Sequence, residues 1–162
     1  MSKMYHVLFI CTANSARSQM AEALLNQIGL GQFKAFSAGS HPSGMVNPLA
    51  LDALQHIGIN TAGLYSKSWD EFSGIDAPHM DFVFTLCDSA AGESCSVWAG
   101  HPMRAHWGVP DPSLLPAEKQ QHAFQQALTL LKRRMDLFIE LPIEKLDSLA
   151  LKHRVSEIGQ VQ

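Results

Sequence analysis

Cys11 and Arg17 stand with five residues between them in the run Cys11-Thr12-Ala13-Asn14-Ser15-Ala16-Arg17-Ser18. An apolar stretch, Tyr5-His6-Val7-Leu8-Phe9-Ile10, leads in. A helical pattern leads out, with Met20, Ala21, Leu24, Leu25 and Ile28 on one face. The run therefore reads as a turn between a buried strand and a helix. Successive backbone N–H groups of such a turn, with the helix N-terminus behind them, wrap a tetrahedral oxyanion. Arg17 adds a planar fork of donors matched to two anion oxygens. The same positive field is expected to lower the Cys11 thiol pKa and supply the nucleophilic thiolate at neutral pH, with Ser18 placed to hydrogen-bond the sulfur. An anion cradle and a nucleophile in one loop imply covalent attack on the bound oxyanion. A cysteine that merely packs at a strand end does not call for Asn, Ser, Arg and Ser around its thiol. The Gly-x4-Gly-Lys-Ser/Thr pattern of a nucleotide-binding loop is absent.

Two further places could join this chemistry. Asp111 lies in Val109-Pro110-Asp111-Pro112, where two prolines stiffen the loop. A carboxyl near a bound oxyanion can protonate a leaving oxygen, although Asp between prolines is also an ordinary turn residue. Cys87 and Cys95 flank the small, polar stretch Asp88-Ser89-Ala90-Ala91-Gly92-Glu93-Ser94. Little apolar surface holds that stretch down, so it is expected to be mobile. A thiol at each end of a mobile loop suits relayed disulfide exchange. Two other readings stay open: Cys87 as the buried end of a strand, and a zinc site from Cys87, Cys95, His101 and His106. The spacings of the latter exceed the short knuckle that zinc favours. No metal and no organic cofactor is expected. Trp98, Trp107, Met80 and Met103 read as packing residues.

The elements that must position these residues alternate between strand and helix. Strands are predicted over Met4 to Ile10, Phe33 to Ser37, Asp81 to Leu86 and Arg104 to Trp107. Helices are predicted from about Ser18 to Ile28, from Pro48 to a stop at Gly58, and along Phe124, Leu128, Leu131, Met135 and Phe138. Residues 68–72 form a short helical turn, and one last helix follows Pro142. Alternation of this kind argues for an α/β fold: one domain over residues 1–162, a four-stranded parallel sheet and helices on both faces. Ligands in such sheets sit beyond the carboxyl ends of the strands. Cys11, Cys87 and Asp111 each follow a strand and would meet at that rim.

Composition narrows the partners. The chain has 162 residues, 46% hydrophobic and 17% charged, with a net charge of -3, which argues against nucleic-acid binding. An anionic substrate must then be captured by local donors. The basic run Lys132-Arg133-Arg134 lies inside a helical pattern and reads as a solvated face. No stretch suits a signal peptide or a membrane span, so a cytoplasmic location is expected, where three cysteines stay reduced.

The first loop, its placement and the Asp111-Pro112 pair resemble the low-molecular-weight protein tyrosine phosphatase family over nearly the whole chain. Within it, residues 11–22, Ser37-Ala38-Gly39, Ser66-Lys67-Ser68 and Thr85-Leu86-Cys87-Asp88 resemble the arsenate reductase branch. The phosphatase branch carries aromatic residues that grip a phosphotyrosine ring. Here Ser113-Leu114 follow Asp111-Pro112, and no aromatic residue lies between His41 and Pro48. The resemblance implies reduction of arsenate to arsenite. It implies Cys11 as nucleophile, Arg17 as oxyanion clamp, Asp111 as general acid, Asn14 as shaper of the loop, and Cys87 and Cys95 as the second and third thiols of a relay. It further implies that Thr12, Ala13, Asn14, Ser15, Ala16, Arg17 and Ser18 hold arsenate, or phosphate or sulfate in its place. Many thioredoxin-coupled members have a cysteine where this chain has Ala16. The implied reductant is therefore thioredoxin, or glutaredoxin or a small thiol. The alternative is a phosphatase that hydrolyses phosphomonoesters through a phosphocysteine.

Overall fold

The computed structural model of the chain describes residues 4–74, 76–87 and 102–162. Cys95, the polar stretch before it, Trp98 and His101 lie outside these residues. Four strands, β1 (Tyr5–Ile10), β2 (Phe33–Ala38), β3 (Phe82–Thr85) and β4 (Met103–His106), form a parallel sheet in the order β2-β1-β3-β4. The predicted strands match these within a residue or two at each end.

β1 is central, and its near-continuous apolar sequence has the composition of a strand covered on both faces. Its side chains alternate between two cores. Tyr5, Val7 and Phe9 join Phe33, Ala35, Phe82 and Phe84 in the larger core. Leu8 and Ile10 join Ala38, Val83, Phe72 and Met80 in the smaller one. The helices α1 (Arg17–Ile28), α2 (Pro48–His56), α3 (Ala117–Ile139) and α4 (Ser148–Ile158) all contribute to the larger core. A 3₁₀ turn, Trp69–Phe72, covers the other face with Phe72. No helix among the described residues is long and apolar enough to cross a membrane.

Register is what matters for the site. Ile10 pairs with Ala38 and with Thr85, and Thr85 pairs with His106. The strands thus end level, and Cys11, Gly39, Leu86 and Trp107 each begin the chain segment above one rim.

The predicted stripe Phe124, Leu128, Leu131, Met135 and Phe138 is buried along α3. Phe138 meets Phe33 at 4.9 Å, while Trp107 stacks on Phe84 at 4.1 Å. Two expectations need correction. Residues after Pro142 do not form one helix. A 3₁₀ turn at Ile143–Lys145 comes first, Asp147 then caps α4 through Ala150 N–H, and Leu149 is 82% exposed. The side chain of Asp147 captures a helix-starting amide, which sets the boundary there. Nor is Lys132-Arg133-Arg134 a solvated face throughout. Arg134 is fully buried on the same side as Leu131, Met135 and Phe138, because three residues from Leu131 returns to the same helical face.

Candidate active site

The loop from Cys11 to Ser18 is held from outside by its carbonyls. Thr12 O accepts from His41 N–H at 2.9 Å, and Ala13 O from Ser43 N–H at 3.0 Å and the Ser66 hydroxyl at 3.2 Å. Asn14 O accepts from Gln19 Nε2 at 3.1 Å, and Ser15 O from Asn47 N–H at 2.8 Å. A planar trans peptide points its N–H opposite to its C=O. Carbonyls anchored outward therefore turn the amides of Ala13, Asn14, Ser15 and Ala16 inward, as an anion cradle requires. Ala16 precedes α1 without any side-chain cap, and the first turn of α1 carries no acidic residue. No acidic side chain of that first turn competes with an anion for the helix N-terminus.

Asn14 is the hub. It sits at φ 47°, the left-handed region that asparagine tolerates better than most residues, and it is fully buried. Its Nδ2 donates to Ser18 Oγ at 2.8 Å. Its Oδ1 accepts from Lys67 N–H and Gln19 Nε2, both at 2.9 Å. Ser18 Oγ is the acceptor in that bond, which leaves its own O–H to donate. Behind the hub, buried Lys67 donates to Tyr65 O at 2.8 Å and faces Glu22 at 3.4 Å, and Glu22 accepts from Ser37 at 2.6 Å. Gly39 closes the floor. A Cβ there would stand 2.4 Å from Thr12 O and 2.7 Å from Cys11 O, so only glycine lets the two segments approach.

Cys11 is 5% exposed and Cys87 8%, and neither forms a disulfide. Leu86 N–H donates to Ile10 O at 2.9 Å and draws the end of β3 against the end of β1. Cys11 and Cys87 are packed in the same small core, in the segments that follow β1 and β3. Thr12 Oγ1 stands 3.5 Å from Cys87 Sγ. This juxtaposition reverses the expected pKa of Cys11. The hydrogen bond with Cys87 comes first and burial second, and together they push the Cys11 thiol above its ordinary range against the pull of Arg17. A second sulfur beside the first makes losing both protons costly.

Arg17 turns its fork toward the segment after β4. Its Nη1 donates to Val109 O at 2.8 Å, and its Nη2 faces Asp111 Oδ2 at 3.4 Å. Asp111 uses its other oxygen to accept from Ser113 N–H at 2.9 Å and the Ser113 hydroxyl at 2.7 Å, which caps a 3₁₀ turn over Pro112–Leu114. It is therefore both a turn residue and a neighbour of the clamp. A guanidinium has five N–H donors, so Arg17 keeps others for an anion. A cleft of about 500 Å³ opens between Arg17, Cys87, Val109, Asp111, Leu114 and Gln162. Cys11, Arg17, Cys87 and Asp111 come together at one rim. Cys95 is outside the described residues, as is half of the alternative zinc set.

This arrangement can bind a tetrahedral oxyanion, present a sulfur to it and offer a carboxyl at the cleft. The model for the low molecular weight phosphotyrosine protein phosphatases matches residues 6–150. The chain belongs to that family. Among its relatives, the arsenate reductase of Bacillus subtilis (strain 168) is 36% identical over 121 residues, which is 74% of this chain and 84% of that protein. A solved arsenate reductase in a phosphate-binding state superposes with a TM-score of 0.67 at 27% identity, over 84% of this chain and 97% of the other. The thioredoxin-dependent arsenate reductase of Corynebacterium glutamicum superposes with a TM-score of 0.61 at 26% identity, over 86% of this chain and 63% of that one.

Reading the sequence did not assign roles to Gln19, Glu22, Lys67 or the Val109 carbonyl. The short runs Ser37-Ala38-Gly39 and Ser66-Lys67-Ser68, picked out by the family resemblance, were the available signal for two of the supporting segments.

Proposed function

We propose that this chain reduces arsenate to arsenite, as one domain, in the cytoplasm, with a thiol reductant of the thioredoxin or glutaredoxin type or a small thiol. The observation that carries the reading is the second thiol. Cys87 packs with Cys11 in the same small core, and its sulfur stands 3.5 Å from Oγ1 of Thr12, the residue after Cys11. A phosphatase needs one thiol there; a reductase needs two.

Arsenate is held by the amides of residues 13–17 and by Arg17. Cys11 gives its proton to the bound oxyanion or to solvent, and the thiolate attacks arsenic. Asp111 protonates the departing oxygen, which leaves as water. The Cys87 thiolate then attacks the Cys11 sulfur. The S–As bond breaks, its electron pair stays on arsenic, and arsenite leaves. Arsenic gains two electrons and the thiols become a Cys11–Cys87 disulfide. Cys95 attacks Cys87 and passes the disulfide to the external reductant. Burial of Cys11 keeps water from the adduct, which favours attack by sulfur over hydrolysis.

The test is arsenite formation with thioredoxin and with glutaredoxin in parallel, beside hydrolysis of p-nitrophenyl phosphate. Arsenite that accumulates only with a thiol donor is expected. Phosphate ester turnover with no arsenite under either donor, and indifferent to Cys87→Ala, would favour the phosphatase reading.

A further inference from the structure

Arg134 was expected at the surface and is wholly buried. Among the described residues no carboxylate pairs with it, and its Nη2 is buried without a partner. Burying a guanidinium without a counter-charge is costly unless its donors are used well. Its donors go to main-chain carbonyls. Nη1 reaches Trp107 O at 2.9 Å and Gly108 O at 3.1 Å, and Nε reaches Val161 O at 3.0 Å. The neighbouring Arg133 holds Gln162 O. Trp107 Nε1 donates to Val155 O at 3.0 Å, clipping α4 to the same place. These contacts involve residues past position 150, where the family match ends. Gln162, one of them, lines the cleft.

The position of those carbonyls is the point. Gly108 is the one residue between β4 and Pro110 that lacks a side chain, so its backbone has the most freedom to lose. Arg134 pins the carbonyls at Trp107 and Gly108. Val109, next in line, supplies the carbonyl that Arg17 uses. Pro110 and Pro112 restrict rotation on either side of Asp111, so a shift at Gly108 is carried on to the carboxyl.

We infer that Arg134 is a positioning residue: from behind the cleft, it fixes the segment that presents Asp111 and the Val109 carbonyl to Arg17. This rests on the proposed acid role of Asp111, and a double-mutant cycle separates the two claims. Arsenite formation is measured in a single turnover at saturating arsenate for the parent, Arg134→Met, Asp111→Asn and the double variant, with phosphate affinity by calorimetry. Arg134→Met is expected to slow the single turnover by about ten- to hundredfold. Phosphate affinity should stay within about threefold, since among the described residues no hydrogen bond or ion pair joins Arg134 to residues 11–18. Asp111→Asn should cost at least about tenfold less in the Arg134→Met background than in the parent, because a misplaced acid has little left to lose. Equal costs in both backgrounds overturn the positioning role. Asp111→Asn without effect in the parent overturns the acid role instead. If circular dichroism finds Arg134→Met unfolded, the same cycle is run with Arg134→Lys. That variant keeps the charge and loses the fork, and equal Asp111→Asn costs there overturn the inference equally.

Discussion

At the scale of single residues, the distinctive choice is a pair of sulfurs where one would suffice for ester hydrolysis. Cys11 lies in a cradle of amides with Arg17 near, a setting that ordinarily lowers a thiol pKa. The interaction with Cys87 and then burial outweigh that setting and push the Cys11 thiol up. Removing the first cause leaves burial, opposed by Arg17, and so lessens the upward push. In Cys87→Ala the Cys11 thiolate should therefore form at lower pH than in the parent. Alkylation by iodoacetamide reads this directly, because the thiolate is the reactive form, and peptide mass mapping isolates Cys11 from Cys95. A midpoint that stays put, or moves to higher pH, would show that Cys87 does not govern the Cys11 proton. Asn14 illustrates a different residue-scale constraint. One side chain must tolerate a left-handed backbone, donate to Ser18 and accept from Lys67 and Gln19. Alanine can do none of the hydrogen bonding, and aspartate offers no donor to Ser18 at neutral pH.

At the scale of elements, the site is a meeting of strand ends. β1, β2 and β3 stop level, so the segments after them crowd the oxyanion loop. α2 contributes through its cap. Asn47 accepts Leu49 N–H at 2.9 Å and donates its own N–H to Ser15 O, tying a helix start to the loop. The tightest joint is Gly39, whose hydrogen-bonded neighbours include Lys67 O and Trp69 N–H. A methyl at Gly39 would lie far inside contact distance of two loop carbonyls. Because both are backbone atoms, the loop itself must shift. Gly39→Ala is expected to weaken phosphate binding by about tenfold or more, on the order of the loss of one good charged hydrogen bond. Calorimetric titration with inorganic phosphate checks it. Affinity within about twofold of the parent would mean that the loop can yield without losing its amides.

At the scale of the whole molecule, the proposed reaction must carry a disulfide from a buried place to an external thiol reductant. Cys11 is nearly sealed and Cys87 lines the cleft. In the proposed relay a third thiol, Cys95, is needed only for the outward step. Cys95→Ser should therefore release one arsenite per chain and stop with Cys11 linked to Cys87. Rapid quench followed by non-reducing peptide mapping would show both the stoichiometry and the link. Steady turnover at the parent rate would mean that the reductant attacks the Cys11–Cys87 disulfide itself. A net charge of -3 fits this scale as well. The molecule offers no broad positive field, and affinity for the oxyanion comes from donors arranged within a few ångströms.

Local order along the chain was enough for part of this. Cys11 and Arg17, bracketed by an apolar run and a helical stripe, specify strand, anion-binding turn and helix, because hydrophobic period and turn chemistry are properties of neighbours in sequence. The alternation of elements specifies a parallel sheet, and a parallel sheet puts its sites at one rim. Contacts between distant segments were not legible, since nothing in a sequence states which groups the fold will bring within hydrogen-bonding distance. Arg134 sits beside two basic residues and looked solvated, yet the turn of α3 carries it inward onto carbonyls some 26 and 27 positions away. Cys11 stood in a positive field by sequence, and only the alignment of β1 with β3 set Cys87 beside it and reversed the balance. Gly39 was one small residue after a strand until the fold placed two carbonyls where its side chain would be.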